Sequence, residues 1–236
     1  MTADNKNKLI IILLGAPGSG KGTQASLLAD KFNLNYFETS RVLEEAWANN
    51  IDEVIEVDGE KYPLRYEKEE NWEKGLLCSP PPVTVLVQRK IRELANEGKS
   101  ILFAGTPRTI YEGERVMPLL KDLYGAENIK IILIEISAEQ TIFRNSHRRI
   151  CELMRHPILY SKETETLEHC PLDGSKLLKR TKLDDPETIK IRIKEYTERT
   201  FPLLNLFQQQ GLKVERVNGE QPVADVYKGI LKALEK

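Results

Sequence analysis

The 236-residue sequence predicts an α/β fold in which a doubly wound parallel sheet carries two inserted segments. Short, continuously apolar runs alternate with longer segments whose apolar residues recur at helical spacing. A glycine-rich loop joins the first apolar run to the first helical pattern, and two polar stretches interrupt the alternation later. The length fits one domain with smaller inserted sub-domains.

The predicted strands are apolar runs that end in polar or glycine-containing turns. The first, at 9–14, has six apolar residues and stops at Gly15, which is typical of a parallel strand buried on both faces. Further runs of this kind lie at 101–104, 129–136 and 212–217. Helical spacing predicts helices at about 25–32, 83–96, 111–124, 139–149, 187–210 and 223–234.

Two stretches do not fit the alternation of strands and helices. Residues 51–82 are rich in charged and aromatic side chains and end in a Ser-Pro-Pro-Pro run, which excludes a helix interior. Residues 150–185 are polar and contain two cysteines. Ligands of doubly wound sheets bind at the carboxyl ends of the strands, so we expect both insertions to cover that edge as lids.

Composition excludes several classes of partner. The chain has 35 basic and 36 acidic side chains, so its net charge of −1 offers no general cationic field to a nucleic acid or an anionic membrane. The six apolar residues at 9–14 are too few for a signal peptide or a membrane span. Three cysteines cannot form a full disulfide framework, which favours a reducing compartment. We therefore expect a cytoplasmic protein that binds neither nucleic acid nor membrane.

The glycine-rich loop at 15–23, Gly-Ala-Pro-Gly-Ser-Gly-Lys-Gly-Thr, predicts a phosphate site. Its glycines let successive backbone N–H groups surround phosphate oxygens, and the following helix presents its positive end. Lys21 would reach the β- and γ-phosphates of ATP, and the Thr23 hydroxyl would bind Mg²⁺. The loop is compatible with a GTPase, an ATPase or a small-molecule kinase, and a glycine-rich turn without function is the plain alternative. Its ATP-binding residues would be Gly18, Ser19, Gly20, Lys21, Gly22 and Thr23.

Two motifs resemble one family. The strict form of a phosphate loop has serine or threonine directly after the lysine, whereas Gly22 intervenes here before Thr-Gln. This variant resembles the adenylate kinase family, and so does the Gly-Thr-Pro-Arg-Thr segment at 105–109. The resemblance covers residues 9 to about 234, which is nearly the whole chain.

The resemblance implies a division of the chain and an activity. The parts would be a P-loop kinase core, a nucleoside monophosphate (NMP)-binding insertion at 39–82 and a lid at 150–185. The implied reaction moves a phosphoryl group from ATP to a nucleoside monophosphate, with AMP as the first candidate. Mg²⁺ is the implied cofactor, and a monomer is the implied state.

The resemblance also implies roles for single residues. A threonine and an arginine would hold the monophosphate, lid-edge arginines would clamp ATP, and one arginine would reach both substrates. The implied catalytic residues are Lys21, Arg108, Arg144, Arg148 and Arg192. The implied substrate-binding residues are Thr39, Arg41, Gly105, Arg108 and Glu112. ATP would also contact Arg144 and the backbone carbonyl of Gln221.

Elementary chemistry supports this set of arginines. Phosphoryl transfer depends on aligning two anions and neutralising the transferred oxygens, and guanidinium groups hold phosphates through paired hydrogen bonds. Arg144 and Arg148 are four residues apart, so they share one helix face. Each arginine taken alone has a plain alternative, a solvated charge on a helix surface.

Three positions depart from the family pattern. Ala104 replaces an aspartate that orients Mg²⁺ waters, Arg41 replaces a second aspartate, and Glu44 stands where a phosphate-binding arginine is expected. Mg²⁺ would then depend on Thr23, the phosphates and water, which is ordinary coordination for this ion. Arg41 would partly restore the missing cation. The departures leave a weakly active nucleotide-binding relative as an alternative function.

Base recognition is the part of the function that the motifs determine least. The family's glutamine that reads the AMP base is Glu112 here. An ionised carboxylate accepts a hydrogen bond from the adenine amino group but cannot donate one to a ring nitrogen. A kinase for another nucleoside monophosphate is therefore a second alternative.

The lid contains candidate ligands for a structural zinc ion. Some adenylate kinases bind zinc there through Cys-x-x-Cys paired with Cys-x-x-Cys or Cys-x-x-Asp, and the halves here read Cys-Glu-Leu-Met at 151–154 and Cys-Pro-Leu-Asp at 170–173. Methionine is a poor zinc ligand, so a histidine, His156 or His169, would supply the fourth donor. A lid held by hydrogen bonds and packing is the alternative. The candidate zinc ligands are Cys151, Cys170, Asp173 and His156.

Overall fold

The computed structural model describes residues 8–74, 76–154, 157–179 and 184–235. Within them the strands are β1 (Ile10–Leu14), β2 (Asn35–Phe37), β3 (Val54–Val57), β4 (Glu60–Pro63), β5 (Ile101–Ala104), β6 (Ile129–Glu135), β7 (Arg149–Cys151), β8 (Pro157–Ile158), β9 (Leu177–Leu178) and β10 (Val214–Asn218). The α-helices are α1 (Lys21–Phe32), α2 (Thr39–Asn50), α3 (Leu64–Tyr66), α4 (Pro80–Asn96), α5 (Ile110–Tyr124), α6 (Ala138–Ser146), α7 (Pro186–Glu195), α8 (Leu203–Gln209) and α9 (Val223–Leu234).

The centre of the fold is a parallel sheet of five strands in the order β10-β6-β1-β5-β2. Every residue of β1 is buried, with alternate side chains in the two hydrophobic clusters that line the opposite faces of the sheet. Helices α4, α5 and α8 contribute to one cluster and α1 and α9 to the other. The continuously apolar strand at 9–14 follows from this double cover, and the predicted doubly wound α/β fold is confirmed.

The segment from α2 to the start of α4 contains the first predicted insertion. A hairpin of β3 and β4 turns at Asp58 and Gly59, both of which have positive φ. Trp47 and Trp72 meet edge to face with ring centroids 5.5 Å apart. Helix α4 begins at Pro80, so the proline run occupies the first helical turn, where missing N–H donors cost nothing.

The second predicted insertion forms a small antiparallel sheet in the order β8-β7-β9. Two predicted helices differ from the structure. The helix expected over 139–149 ends at Ser146, and residues 149–151 form β7 instead. The helix expected over 187–210 is divided into α7, a π-helical turn (Tyr196–Thr200) and α8, with Pro202 directly before α8. The two insertions as domains remain a prediction from the sequence.

Candidate nucleotide-binding site

The glycine-rich loop leaves the carboxyl end of β1 and runs into the N-terminus of α1. Gly18 and Gly20 have φ of +84° and +91°, a conformation that side-chain-bearing residues rarely adopt. A β-carbon on Gly15 would lie 2.5 Å from the Ile134 carbonyl oxygen, so only glycine lets the loop pass this close to β6. The local fold thus places the first backbone N–H groups of α1 at the edge of the sheet.

Lys21 folds back over this loop. Its Nζ donates hydrogen bonds to the carbonyl oxygens of Gly15, at 2.6 Å, and Ala16, at 3.0 Å. The pKa of the Lys21 ammonium is lowered to about 7, first by burial and then by the positive charges of Arg108, Arg192 and Arg148. The structure therefore brings four of the predicted catalytic cations into one electrostatic neighbourhood.

Gly105, directly after β5, lies beside two of these cations. A β-carbon placed there would be 3.8 Å from Arg108 Nε and 3.9 Å from Lys21 Cε. Arg108 Nε donates to the Gly105 carbonyl oxygen at 2.8 Å, and the Thr200 hydroxyl donates to the Arg108 carbonyl oxygen at 2.8 Å. Helical residues far along the chain thus hold the loop that carries Arg108.

The part of the site predicted to bind the monophosphate contains a buried threonine pair. Thr39, the first residue of α2, is hydrogen-bonded through its hydroxyl to the Thr106 hydroxyl. Both residues are buried. Their contact connects the start of α2 to the loop between β5 and α5, on which Arg108 stands.

Three predicted arginines lie on α6, in the turn between α6 and β7, and on α7: Arg144, Arg148 and Arg192 in that order. Arg144 Nη1 lies 3.5 Å from the Gly18 carbonyl oxygen. The Asp184 carboxylate, which is almost fully buried, lies 3.9 Å from Arg148 Nη1 and 3.4 Å from Arg192 Nη1. One carboxylate therefore holds these two guanidinium groups beside each other.

Glu112 is buried at the start of α5 and satisfies the backbone there. Its Oε2 accepts from the Arg108 N–H at 2.9 Å, its Oε1 accepts from the Thr109 hydroxyl at 3.2 Å, and its own N–H donates to that hydroxyl. This reciprocal arrangement is a variant of the capping box, in which the carboxylate accepts from the N–H of Arg108, one residue before the N-cap Thr109. Burial raises the pKa of the Glu112 carboxyl. The hydrogen bond from the Arg108 N–H and the positive charge of Arg108 partly oppose this increase.

The remaining predicted contact residues, Arg41, Gln221 and Thr23, are partly or largely exposed. Arg41 is mostly exposed and is ion-paired with Glu38 at 2.8 Å. Gln221 is exposed and lies between β10 and α9. Thr23, in the first turn of α1, is partly exposed.

The predicted zinc ligands come together in part. The Cys151 and Cys170 sulfurs and an Asp173 carboxylate oxygen all lie within 4.8 Å of one another. The Cys151 thiol donates to Asp173 Oδ2 at 3.0 Å, and this bond, with others from Ser175, holds the pKa of Asp173 well below its usual range. Met154 is exposed and outside this group, and His156 lies outside the described residues.

Comparison with known proteins decides the family. The protein-family model for adenylate kinase matches residues 13–212, most of the chain. The chain belongs to the adenylate kinase family. It is 33% identical over 228 residues to an adenylate kinase of Caldicellulosiruptor saccharolyticus, covering 95% of this chain and 98% of that protein. It is 33% identical over 228 residues to one of Oceanobacillus iheyensis, covering 96% and 99%, and 32% identical over 230 residues to one of Staphylococcus aureus, covering 95% and 98%.

Membership of the adenylate kinase family makes the chain a phosphotransferase, a nucleoside monophosphate kinase, which uses Mg²⁺ together with ATP. The resemblance predicted from the two motifs is thereby confirmed. Among the described residues, no helix is both long and apolar enough to cross a membrane.

Two residues of the site were missed in the sequence. Asn145 and Asp184 both contact Arg148, and both side chains are buried, yet neither was predicted to act in the site. The available signal for Asn145 was its place between Arg144 and Arg148. Asp184 directly precedes Asp185, the N-cap of α7, and nothing in the sequence linked it to Arg148 or Arg192.

Proposed function

We propose that the protein transfers the terminal phosphoryl group of ATP to AMP, which yields two molecules of ADP. The observation that carries this proposal is the convergence of Lys21 and Arg108 beside Gly105, with Arg148 and Arg192 close enough to depress the Lys21 pKa. Positive charges held this close repel one another, and an anionic substrate between them removes the repulsion. A nucleoside triphosphate and a nucleoside monophosphate whose phosphates meet there are the ligands this arrangement fits best.

Positioning and charge neutralisation would supply the catalysis. The loop N–H groups and Arg144 hold ATP, and Arg108 holds the acceptor phosphate. Lys21 swings from its loop carbonyls to the transferred group, where Arg148 and Arg192 neutralise the developing charge. The full proposed contact set adds Thr39, Arg41 and Glu112 for the acceptor and Gln221 for the ATP base.

The residues near the phosphate loop are compatible with an Mg²⁺ ion that is bound chiefly by the substrate phosphates. Thr23 offers a hydroxyl oxygen in the first turn of α1, and Ala104 at the end of β5 offers no ligand. Mg²⁺ in proteins commonly keeps several waters and binds substrate phosphates. When bound, the ion would neutralise phosphate oxygens and orient them.

Replacement of Lys21 tests the proposal. A coupled assay with ATP and AMP should show turnover of Lys21→Met reduced by about a hundredfold or more, because a cation aimed at the transferred group is lost. The melting temperature should not fall, since removing a buried charge with a depressed pKa does not cost folding free energy. Lys31→Met is the matched control, because Lys31 is exposed on the same helix. Turnover of Lys21→Met equal to that of the control would remove the loop from the mechanism.

Glu112 supports GMP as a second candidate substrate. Guanine presents two adjacent donors on its pairing edge, which an ionised carboxylate can accept, whereas adenine presents one donor and one acceptor. Burial raises the pKa of Glu112, and the neutral acid would offer the donor and acceptor that adenine requires. The assay therefore compares AMP, GMP, CMP and UMP with the wild type and with Glu112→Gln. AMP preferred by both proteins supports the proposal, while GMP preferred only by the wild type supports the alternative.

We also propose a structural zinc ion in the lid, held by the Cys151 and Cys170 thiolates and Asp173. The three ligand atoms are close enough for one ion, and two thiolates with a carboxylate suit zinc. Metal analysis of untagged protein should give close to one equivalent, which Cys151→Ser removes and Cys78→Ser retains. A zinc content below about one-tenth of an equivalent, with turnover unchanged by a chelator, would instead support a lid held by hydrogen bonds. A monomeric, cytosolic protein without nucleic-acid or membrane contacts remains a prediction from the sequence.

A further inference from the structure

Asn145 is a fully buried polar residue on α6, between the glycine-rich loop and Arg148. Its Nδ2 donates to the Thr141 carbonyl oxygen at 2.6 Å, and its Oδ1 accepts a short hydrogen bond from Arg148 Nη2. On the loop side, a β-carbon at Gly18 would lie 2.7 Å from Asn145 Nδ2, so the amide is in close contact with the loop backbone. One side chain thus touches both the phosphate loop and a guanidinium group.

A buried asparagine in a helix is energetically unfavourable, so its presence in α6 requires an explanation. Asparagine has lower helix propensity than leucine, and burial of an amide is unfavourable unless both its ends are hydrogen-bonded. Here both ends are satisfied, one by the helix itself and the other by Arg148. A leucine would fill the same space without either requirement, so packing alone does not explain the amide.

The contact with Arg148 provides that reason. An arginine side chain has several freely rotating bonds, and ordering it costs up to about 2 kcal/mol of conformational entropy. The Asn145 oxygen holds one guanidinium nitrogen and the Asp184 carboxylate faces another. Because Asn145 also lies against Gly18, the guanidinium group is fixed relative to the loop that would carry ATP.

We propose that Asn145 is a positioning residue, which sets the place of the Arg148 guanidinium group relative to the phosphate loop before nucleotide binds. This inference rests on the proposed function, because it takes Arg148 to act on the transferred phosphoryl group. Its effect on catalysis passes through Arg148 and not through the packing of α6.

A double-mutant cycle separates these two routes. Asn145→Leu removes the amide at similar volume. Asn145→Ser removes the contacts with Arg148 and Gly18 but keeps the hydrogen bond within the helix, since a serine hydroxyl can still donate to the carbonyl four residues earlier, as Ser146 does to Ile142 at 2.8 Å. Both are compared with the wild type and combined with Arg148→Ala. Ser146→Ala is the matched control, because it removes an exposed bond of the same kind from the same helix.

We expect kcat to fall about tenfold in each Asn145 variant, as for loss of a hydrogen bond to a charged group. In the Arg148→Ala background the same substitutions should lower kcat by less than about twofold, and Ser146→Ala should keep wild-type kcat. A fall of equal size in both backgrounds, or no fall at all, would overturn the inference. If Asn145→Leu does not fold, Asn145→Ser provides the cycle. Full turnover of Arg148→Ala would overturn the Arg148 assignment and the inference with it, whereas inactivity of the wild type towards every nucleoside monophosphate would refute the proposed function itself.

Discussion

Substituting alanine for Gly18 probes the glycine-rich loop and the helix beside it together. Gly18 and Gly20 both have positive φ, so alanine at either position takes on an unfavourable backbone conformation. The two positions differ in the room available for a side chain. A β-carbon at Gly20 would meet nothing within 4 Å, whereas one at Gly18 would lie 2.7 Å from Asn145 Nδ2. Gly20→Ala is therefore the matched control, which carries the backbone cost alone.

The two costs can be estimated separately. Alanine in the left-handed region costs about 1–2 kcal/mol, and both variants share this term. At Gly18, Asn145 must also move, which breaks a hydrogen bond of a buried amide and costs about 1–3 kcal/mol more. For a chain of this size, a loss of about 1 kcal/mol in the free energy of unfolding lowers the melting temperature by about 2–4 °C. Gly20→Ala should then lose about 2–8 °C, and Gly18→Ala about 4–20 °C.

The assay is thermal unfolding of both variants in the absence of nucleotide, monitored by circular dichroism. Gly18→Ala should also lose less stability when it is combined with Asn145→Ser, because the smaller side chain makes room for the new methyl group. A melting temperature of Gly18→Ala equal to or above that of Gly20→Ala would refute the contact with Asn145 on which the estimate depends.

Three further predictions concern the acceptor side, the metal and the core. Arg108→Ala should raise KM for the monophosphate at least about tenfold and leave KM for ATP within about threefold. The reason is that Arg108 adjoins Gly105, on the side proposed to bind the acceptor. The opposite pattern in initial-rate kinetics would reverse the assignment of the donor and acceptor sites. Ala104→Asp should reach half-maximal turnover at equal or lower free Mg²⁺, because it adds an oxygen ligand at the end of β5, and a need for more Mg²⁺ would contradict this. Phe207→Ala should lower the free energy of unfolding by about 3–5 kcal/mol, since the ring is fully buried. A loss below about 1 kcal/mol in denaturant titration would show that the core closes around the gap.

The sequence itself determined the sheet, the phosphate loop and the family. Buried parallel strands read as continuous apolar runs, and the loop between 15 and 23 needs its residue types in order, so both signals are local. The strand β2 was missed because three residues are too few for a periodic pattern. The long helix predicted over 187–210 was wrong in its continuity, since the apolar spacing runs on past a π-helical turn and Pro202.

Only the tertiary structure decided how the charged residues pair. Arg144 meets the carbonyl of Gly18, which lies 126 positions earlier in the chain, and Asp184 faces guanidinium groups from the turn after α6 and from α7. Such pairs form because parallel strands bring their carboxyl ends, and the loops that follow them, to one edge of the sheet. A residue's partners there depend on which loops meet and on burial, which excludes water and makes each unpaired polar group costly. The sequence therefore supplies the cations and amides of the site, and the fold determines which of them meet.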